Sequence, residues 1–419
     1  MESKRLLVKA YSIPHNLEVN ELIEDYMRIL NSILEDLWRN IEWKRRGKRL
    51  IPFFRKDKDF RKKLRDKNLI GWVYSKHYVD SAIKQAYSVL ESWRKRYLHG
   101  RAKRRRPELK RKFLRVKETL YSYREGVLKI SVRPYEESLT IDLRKTWCWN
   151  RIRGLELGEL ILKQDKLIVT VRKDVELKIK DPIAWDVNLF TLDGYDSENH
   201  YSISLKKVYT IHRIYELKRR ILQRLPEKTR KRLLKKYSLR ERNRVNDALH
   251  KLTKRLSDRT NVFEDLRNFK ERIARTKSRS MNRQNSKHDY IKLQKYVDYK
   301  SAWNGYATIF VKAYGTSKTC SRCGYYNKDL RGAVFKCPRC GLVIDRQKNA
   351  SINIWKKFLR MWGVMGSPRK EQSSMIPPMN PEEEKSVEAQ GLSMDSILSS
   401  EPIYSFWINI LWFGAFRPN

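Results

Sequence analysis

The chain has 419 residues, with 93 lysines and arginines against 48 acids, a net charge of +45. So large an excess is costly in a compact fold unless a polyanion offsets it, which points to nucleic acid and to binding that weakens steeply with salt. The 12 tryptophans and 22 tyrosines argue against a ribosomal-type protein, no apolar run nears the length of a membrane span, and no signal peptide opens the chain. The expectation is a soluble cytoplasmic protein that works on nucleic acid.

In chain order, Arg5–Ile13 alternates and is rich in strand formers, so it predicts a first strand. From Asn16 to His99 the period turns helical. Leu22, Ile23, Tyr26, Met27, Leu30 and Ile33 mark one apolar face, and Ile83, Tyr87, Leu90 and Trp93 mark another within Ser81–Tyr97. Cation-rich connections, Lys44–Arg49 and Arg101–Arg106, separate these segments. From Phe113 to Leu177 alternation returns, broken at Arg124–Gly126 and Gln164–Lys166, and predicts an antiparallel sheet or small barrel. The first strand is expected to join it, leaving the helical block as an insertion.

Pro182–Leu192 is an apolar run fit for a central strand, yet it holds Asp186. A charge there is expensive unless a metal or partner neutralises it. Asn261–Leu266 repeats the device with Glu264 and Asp265, and the basic stretch between, about 209–259, reads as a helical hairpin. Asp345 opens a final helix. A lone strand-end aspartate is more often a cap. Three acids from two strands and a helix in a basic chain, however, can hold two Mg²⁺ for phosphodiester cleavage, and Mg²⁺ needs no histidine.

Between these acids, Cys320-x-x-Cys323-Gly and Cys337-x-x-Cys340-Gly form two knuckles thirteen residues apart. Two disulfides or a redox motif are the other uses of such cysteines. Doubled knuckles with a glycine behind each favour one tetrahedral structural zinc with no open position. After Leu359 the composition shifts. Ser367–Ser400 reads as a disordered linker, and the chain closes on a short apolar stretch, Ile403–Phe416.

The run YKSAWNGYATIFVKAYGTSKTCSRCG, the second knuckle and the NASINI close (Tyr299–Ile354) resemble the OrfB/TnpB family of insertion-sequence proteins, relatives of the type V CRISPR effectors. YSVLESWRKRY and NVFEDL resemble it too, and the likeness covers roughly Met1–Leu359. It implies an α/β multidomain protein with an RNase H-like (RuvC) domain over 181–317 and 343–360, and a zinc ribbon, 318–342, inserted in it. It also implies a β-barrel wedge domain, 1–15 and 105–180, interrupted by a helical recognition domain, 16–104, with 361–419 as a tail. The resemblance further implies a transposon-derived guide RNA and a target double-stranded DNA opened beside a short adjacent motif. Mg²⁺-dependent cutting at the RuvC site would follow, with no membrane involved.

By the same resemblance Asp186 and Glu264 match the first two catalytic acids, and Asp345 is the remaining candidate for the third. The family's third ligand falls two residues before the asparagine of its D-R-D-x-N-A close, and here that place holds Gln347, ahead of Asn349. An amide can offer an oxygen but removes a negative charge, so weaker metal binding and slowed or abolished cutting are expected. An RNA-guided DNA-binding protein acting by occupancy is therefore the second reading. A zinc-ribbon RNA-binding protein whose acids are caps and a strand-transfer transposase are the further alternatives.

Overall fold

The computed structural model describes residues 3–47, 49–109, 111–266, 288–361 and 363. Of the expected tail, 361–419, only Met361 and Gly363 are among the described residues, and the linker and apolar end lie outside them. The chain divides into two compact units, Arg5–Asp174 and Val175–Asn419 with Met1–Lys4. Among the described residues no helix is long and apolar enough to cross a membrane.

In the first unit, β1 (Ser3–Pro14) leads into α1 (Asn20–Arg39), which buries the face from Leu22 to Leu37. β2 (Ile41–Arg46) and β3 (Arg49–Phe54) follow as an antiparallel hairpin where the helical period was expected to run through. Two signals explain the difference. Ile41 and Trp43 alternate with Glu42 and Lys44, Leu50–Phe54 is a short apolar run, and Gly47 supplies the positive φ of +60° that a hairpin turn needs. α2 (Lys58–Leu69) is capped by Asp57, whose carboxylate accepts from the Phe60 amide at 2.8 Å. α3 (His77–Leu98) buries Ile83, Tyr87, Leu90 and Trp93.

The strands that follow are β4 (Leu114–Val116), β5 (Tyr121–Arg124), β6 (Val127–Arg133) and β7 (Glu137–Asp142). A short helix α4 (Trp149–Ile152) precedes β8 (Glu156–Leu157), β9 (Leu160–Leu162) and β10 (Lys166–Leu177). β1 pairs with β10 in a sheet ordered β1-β10-β9-β4, with β8 also on β10, while β5-β6-β7 form a separate three-stranded sheet. The expected barrel is thus not closed among the described residues. The chain from Glu118 to Leu120 makes a 3₁₀ turn between β4 and β5 that breaks the ladder.

The second unit is built on β11 (Ile183–Val187), β12 (Thr191–Tyr195) and β13 (His200–Ser204), then the helical hairpin α5 (Lys206–Leu222) and α6 (Glu227–Arg255). β14 (Asn261–Glu264), α7 (Tyr290–Trp303), β15 (Thr308–Val311), β16 (Val334–Lys336), β17 (Val343–Asp345) and α8 (Arg346–Met361) complete it. The main sheet runs β13-β12-β11-β14-β15, with β11 in the middle, antiparallel to β12 and parallel to β14. The run Pro182–Leu192, expected as one strand, is two. It folds back at Leu189–Phe190, where no glycine or proline marks the turn, and Asn188 N donates to Thr191 O at 2.9 Å to close it.

Strand alternation sorts the sheet's faces. Ile183, Trp185, Leu192 and Phe263 pack with Val208, Val245, Leu249, Leu293 and Val297 of α5, α6 and α7. Ala184, Val262 and Val311 pack with Ile354 and Phe358 of α8. Trp185 also explains a glycine. Gly194 lies opposite it on β12, and a Cβ there would fall well inside contact distance of the indole ring.

Candidate functional site

The alternation that buries Ala184 and Val262 against α8 puts Asp186 and Glu264, two residues further along each strand, on that same face. β11 and β14 are paired Trp185 to Phe263, so one more step of the register sets Asp186 beside Glu264. Both stand at the C-terminal ends of parallel strands, where open α/β sheets place their ligands. Burial, then the neighbouring Glu264 carboxylate, push the Asp186 carboxyl up to about 7. Burial raises Glu264 as well, opposed by the Thr316 hydroxyl that donates to its Oε1 and by the Lys357 ammonium. Such a pair holds more negative charge than its surroundings neutralise.

The sequence did not single out a third carboxylate, Asp193. It lies opposite Asp186 in the β11–β12 register and is 7% exposed. Ser202 Oγ donates to its Oδ1 at 2.7 Å and Thr191 Oγ1 lies 2.6 Å from its Oδ2. The Asn188 amide nitrogen bridges the two acids, 2.8 Å from Asp186 Oδ2 and 3.2 Å from Asp193 Oδ2. The signal for these residues was the hairpin itself. Read as one strand, Asp193 falls at an unrelated position; folded at Leu189–Phe190, it comes back beside Asp186.

Asp345 sits elsewhere in the cluster. It ends β17, and its Oδ1 accepts from the backbone amides of Gln347 at 2.8 Å and Lys348 at 2.9 Å, the pattern of a helix N-cap for α8. Burial raises its carboxyl against those two amides, and the Asp193 charge raises it further. Gln347 Oε1 lies 2.9 Å from Thr191 Oγ1, the hydroxyl that also meets Asp193. A hydroxyl has one proton and an amide offers either end. Both contacts are satisfied when Thr191 donates to Asp193 and Gln347 turns its nitrogen to Thr191. Gln347 then meets the cluster as a donor.

The four cysteines form a second site. Among the described residues, Cys320, Cys323, Cys337 and Cys340 are the one group of three or more such side chains whose ligand atoms all lie within 4.8 Å of one another. The three sequence-derived acids do not form such a group. The Cys320–Cys340 and Cys323–Cys337 sulfurs are each 3.6 Å apart. A tetrahedron of sulfurs at 2.3 Å from one zinc has edges of about 3.8 Å, so the cluster can hold a zinc ion.

The two knuckles repeat one geometry. Gly324 N donates to Cys320 O and Gly341 N to Cys337 O, both at 3.0 Å, and the glycines take φ of +76° and +70°. In each, the amides two and three residues on point at the first sulfur. Burial pushes the Cys320 thiol up; at Cys337 the amides of Cys340 and Arg339, with the neighbouring thiols, outweigh burial and bring it down to about 7. Phe335, Leu342, Ile344 and Ile352 pack beneath the sulfurs and fix the ribbon to α8.

Residues 22–131 match the uncharacterized protein MJ0013 family, and residues 290–354, which include all four cysteines, match the Cas12f1-like TNB domain. The chain is 32% identical over 372 residues to the TnpB-like protein MJ1635 of Methanocaldococcus jannaschii, covering 85% of this chain and 87% of that one. TnpB-like protein MJ0751 of the same organism is 33% identical over 224 residues, 49% of this chain and 79% of that one. Among solved structures, a Cas12f1–sgRNA–target DNA complex aligns with 83% of this chain and 98% of its own at 14% identity and a TM-score of 0.46. A likeness to MJ1635 that runs through both chains nearly end to end places this chain in the TnpB-like protein family.

Proposed function

We propose that the chain is an RNA-guided, Mg²⁺-dependent DNA endonuclease that uses an RNase H-like (RuvC) domain, 181–317 and 343–360, interrupted by the zinc ribbon. The observation that carries this is the Asp186–Glu264 pair, two half-buried carboxylates on adjacent parallel strand ends, where desolvation and then the charge of Glu264 lift Asp186 to about 7 in a chain of net charge +45. Carboxylate oxygens are the donors Mg²⁺ takes, and a cation there would relieve the repulsion that Asp186 otherwise answers by holding a proton. The chemistry bound Mg²⁺ supplies is activation of water and stabilisation of a leaving 3′ oxygen. Within the chain, Asp186 and Glu264 would hold it, Asn188 orients Asp186, and Asp193 stands as a third carboxylate opposite Asp186. The basic excess of the chain fits two polyanionic partners, a guide RNA and a target DNA. The four-cysteine ribbon takes structural Zn²⁺ under this reading.

One observation favours a second reading. Asp345 is committed to capping α8 and Gln347 meets the cluster through Thr191, so the start of α8 offers no free carboxylate of the family pattern. Guided binding without cutting follows if the pair alone cannot hold the metals. The test uses protein purified with the RNA of its own locus and a plasmid library in which a guide-matched target carries randomised flanks. Guide-dependent cuts in Mg²⁺ beside one flanking motif support the endonuclease. Guide-dependent capture of the same plasmids without cuts supports occupancy, and neither result would leave a ribbon protein that binds RNA alone.

A further inference from the structure

One face of α8 holds down the chain segment that leads into the ribbon. Asn353 Nδ2 donates to the carbonyls of Thr316 at 2.8 Å and Thr319 at 2.6 Å. One turn earlier, Asn349 Nδ2 donates to Thr319 O at 2.8 Å while its Oδ1 accepts from Ser321 N at 2.9 Å. One turn later, Lys357 Nζ donates to the carbonyls of Lys312 at 2.8 Å and Tyr314 at 2.6 Å. Residues 349, 353 and 357 are spaced by four and so share a face of the helix. Asn349 is fully buried and Asn353 nearly so, which makes each unsatisfied alternative costly.

The strap ends on the candidate site. Thr316 is 5% exposed, its carbonyl is pinned by Asn353, and its hydroxyl donates to Glu264 Oε1. The other end is Cys320, the first sulfur of the ribbon, four residues on. From the Glu264 side, Gln294 of α7 holds only the backbone carbonyl, at 2.8 Å. The orientation of the Glu264 carboxylate is therefore set by the segment that enters the ribbon.

We propose that Thr316 is a positioning residue for Glu264, and that Asn353 and the zinc ribbon together keep its hydroxyl in place for divalent-metal binding at the Asp186–Glu264 pair. This rests on the metal-binding reading of that pair given above. The ribbon is then more than a separate structural module: the turn that enters it orients an acid of the candidate site, and α8 carries the coupling.

The experiment titrates Mn²⁺ into the zinc-loaded full-length chain by electron paramagnetic resonance, with zinc content measured in parallel. Thr316→Val, which keeps the shape and removes the donor, is expected to weaken Mn²⁺ binding about ten-fold with zinc content unchanged, as for loss of one hydrogen bond to a charged group. Thr316→Ser restores wild-type affinity, which a merely structural role for the methyl-bearing side chain would not produce. Wild-type affinity in Thr316→Val, beside a Glu264→Gln variant that has lost Mn²⁺, overturns the proposal and leaves the metal reading standing. Wild-type affinity in Glu264→Gln overturns the metal reading itself. Should Thr316→Val lose zinc, Asn353→Ala decides, because it frees the Thr316 carbonyl and keeps the hydroxyl: weaker Mn²⁺ binding at full zinc content supports the strap, and unchanged binding refutes it.

Discussion

Replacing Asp186 with asparagine should stabilise the metal-free protein, and by an amount that depends on pH. The carboxyl titrates near 7 in the fold against an ordinary 3.8. Below 3.8 the folded and unfolded chains both hold the proton. Between 3.8 and about 7 only the folded chain does, so its stability falls as pH rises, and above 7 the loss is complete. At 1.36 kcal/mol per pH unit, ionising Asp186 takes about 4 kcal/mol from the metal-free fold. Part of this belongs to the Asp186–Glu264 pair jointly, since the two titrate together. Asp186→Asn should remove the penalty, so its advantage over wild type in urea unfolding, measured without divalent cation, grows by about 3 kcal/mol from pH 5 to pH 8. Mg²⁺ should stabilise wild type at pH 8 and leave Asp186→Asn unmoved. A difference that is flat across this range would show that Asp186 titrates as an ordinary surface carboxylate, and the electrostatic argument for the site would fall.

Cys337→Ser should abolish zinc binding and unfold the ribbon, because structural zinc contributes roughly 10 kcal/mol or more to such sites; a wild-type metal content by mass spectrometry would refute the four-cysteine centre. Gly194→Ala drives a methyl into the Trp185 ring and should cost about 1–3 kcal/mol, read from the urea midpoint. His212 is 2.8 Å from both Glu241 and Asp289, and although burial opposes its charge, the bonds to Asp289 and Glu241 raise it to about 9. His212→Ala takes one partner from each of two half-buried acids, which keep Arg219 and Lys292, and should cost about 1–3 kcal/mol below pH 6.5, fading as pH rises through 9, where wild type loses the same contribution. An effect of equal size at pH 6 and pH 10 would contradict the buried ion pair.

What the sequence revealed depended on the range of the signal. The helical faces of α1 and α3 were legible because three- and four-residue spacing needs only neighbours along the chain, and every face residue read from that spacing is buried. The paired knuckles were legible for the same reason, as two local turns with a glycine behind each. The hairpins at Gly47 and at Leu189–Phe190 were not. The first interrupts a helical stretch with only one glycine as punctuation, and the second turns without glycine or proline. Missing the second hid Asp193, because its nearness to Asp186 exists only after the chain folds back. Asp345 shows the opposite limit. Its place beside the final helix was visible, but a carboxylate there serves equally as cap or ligand, and only the amides of Gln347 and Lys348 show that it caps.

The most direct test of the central claim is cleavage of a guide-matched DNA duplex in Mg²⁺ by the RNA-loaded chain, with wild type, Asp186→Ala and Gln347→Asp run side by side. The account predicts guide-dependent cutting by wild type, none by Asp186→Ala, and faster cutting by Gln347→Asp as a third carboxylate joins the pair. Cutting that persists unchanged in Asp186→Ala would contradict it.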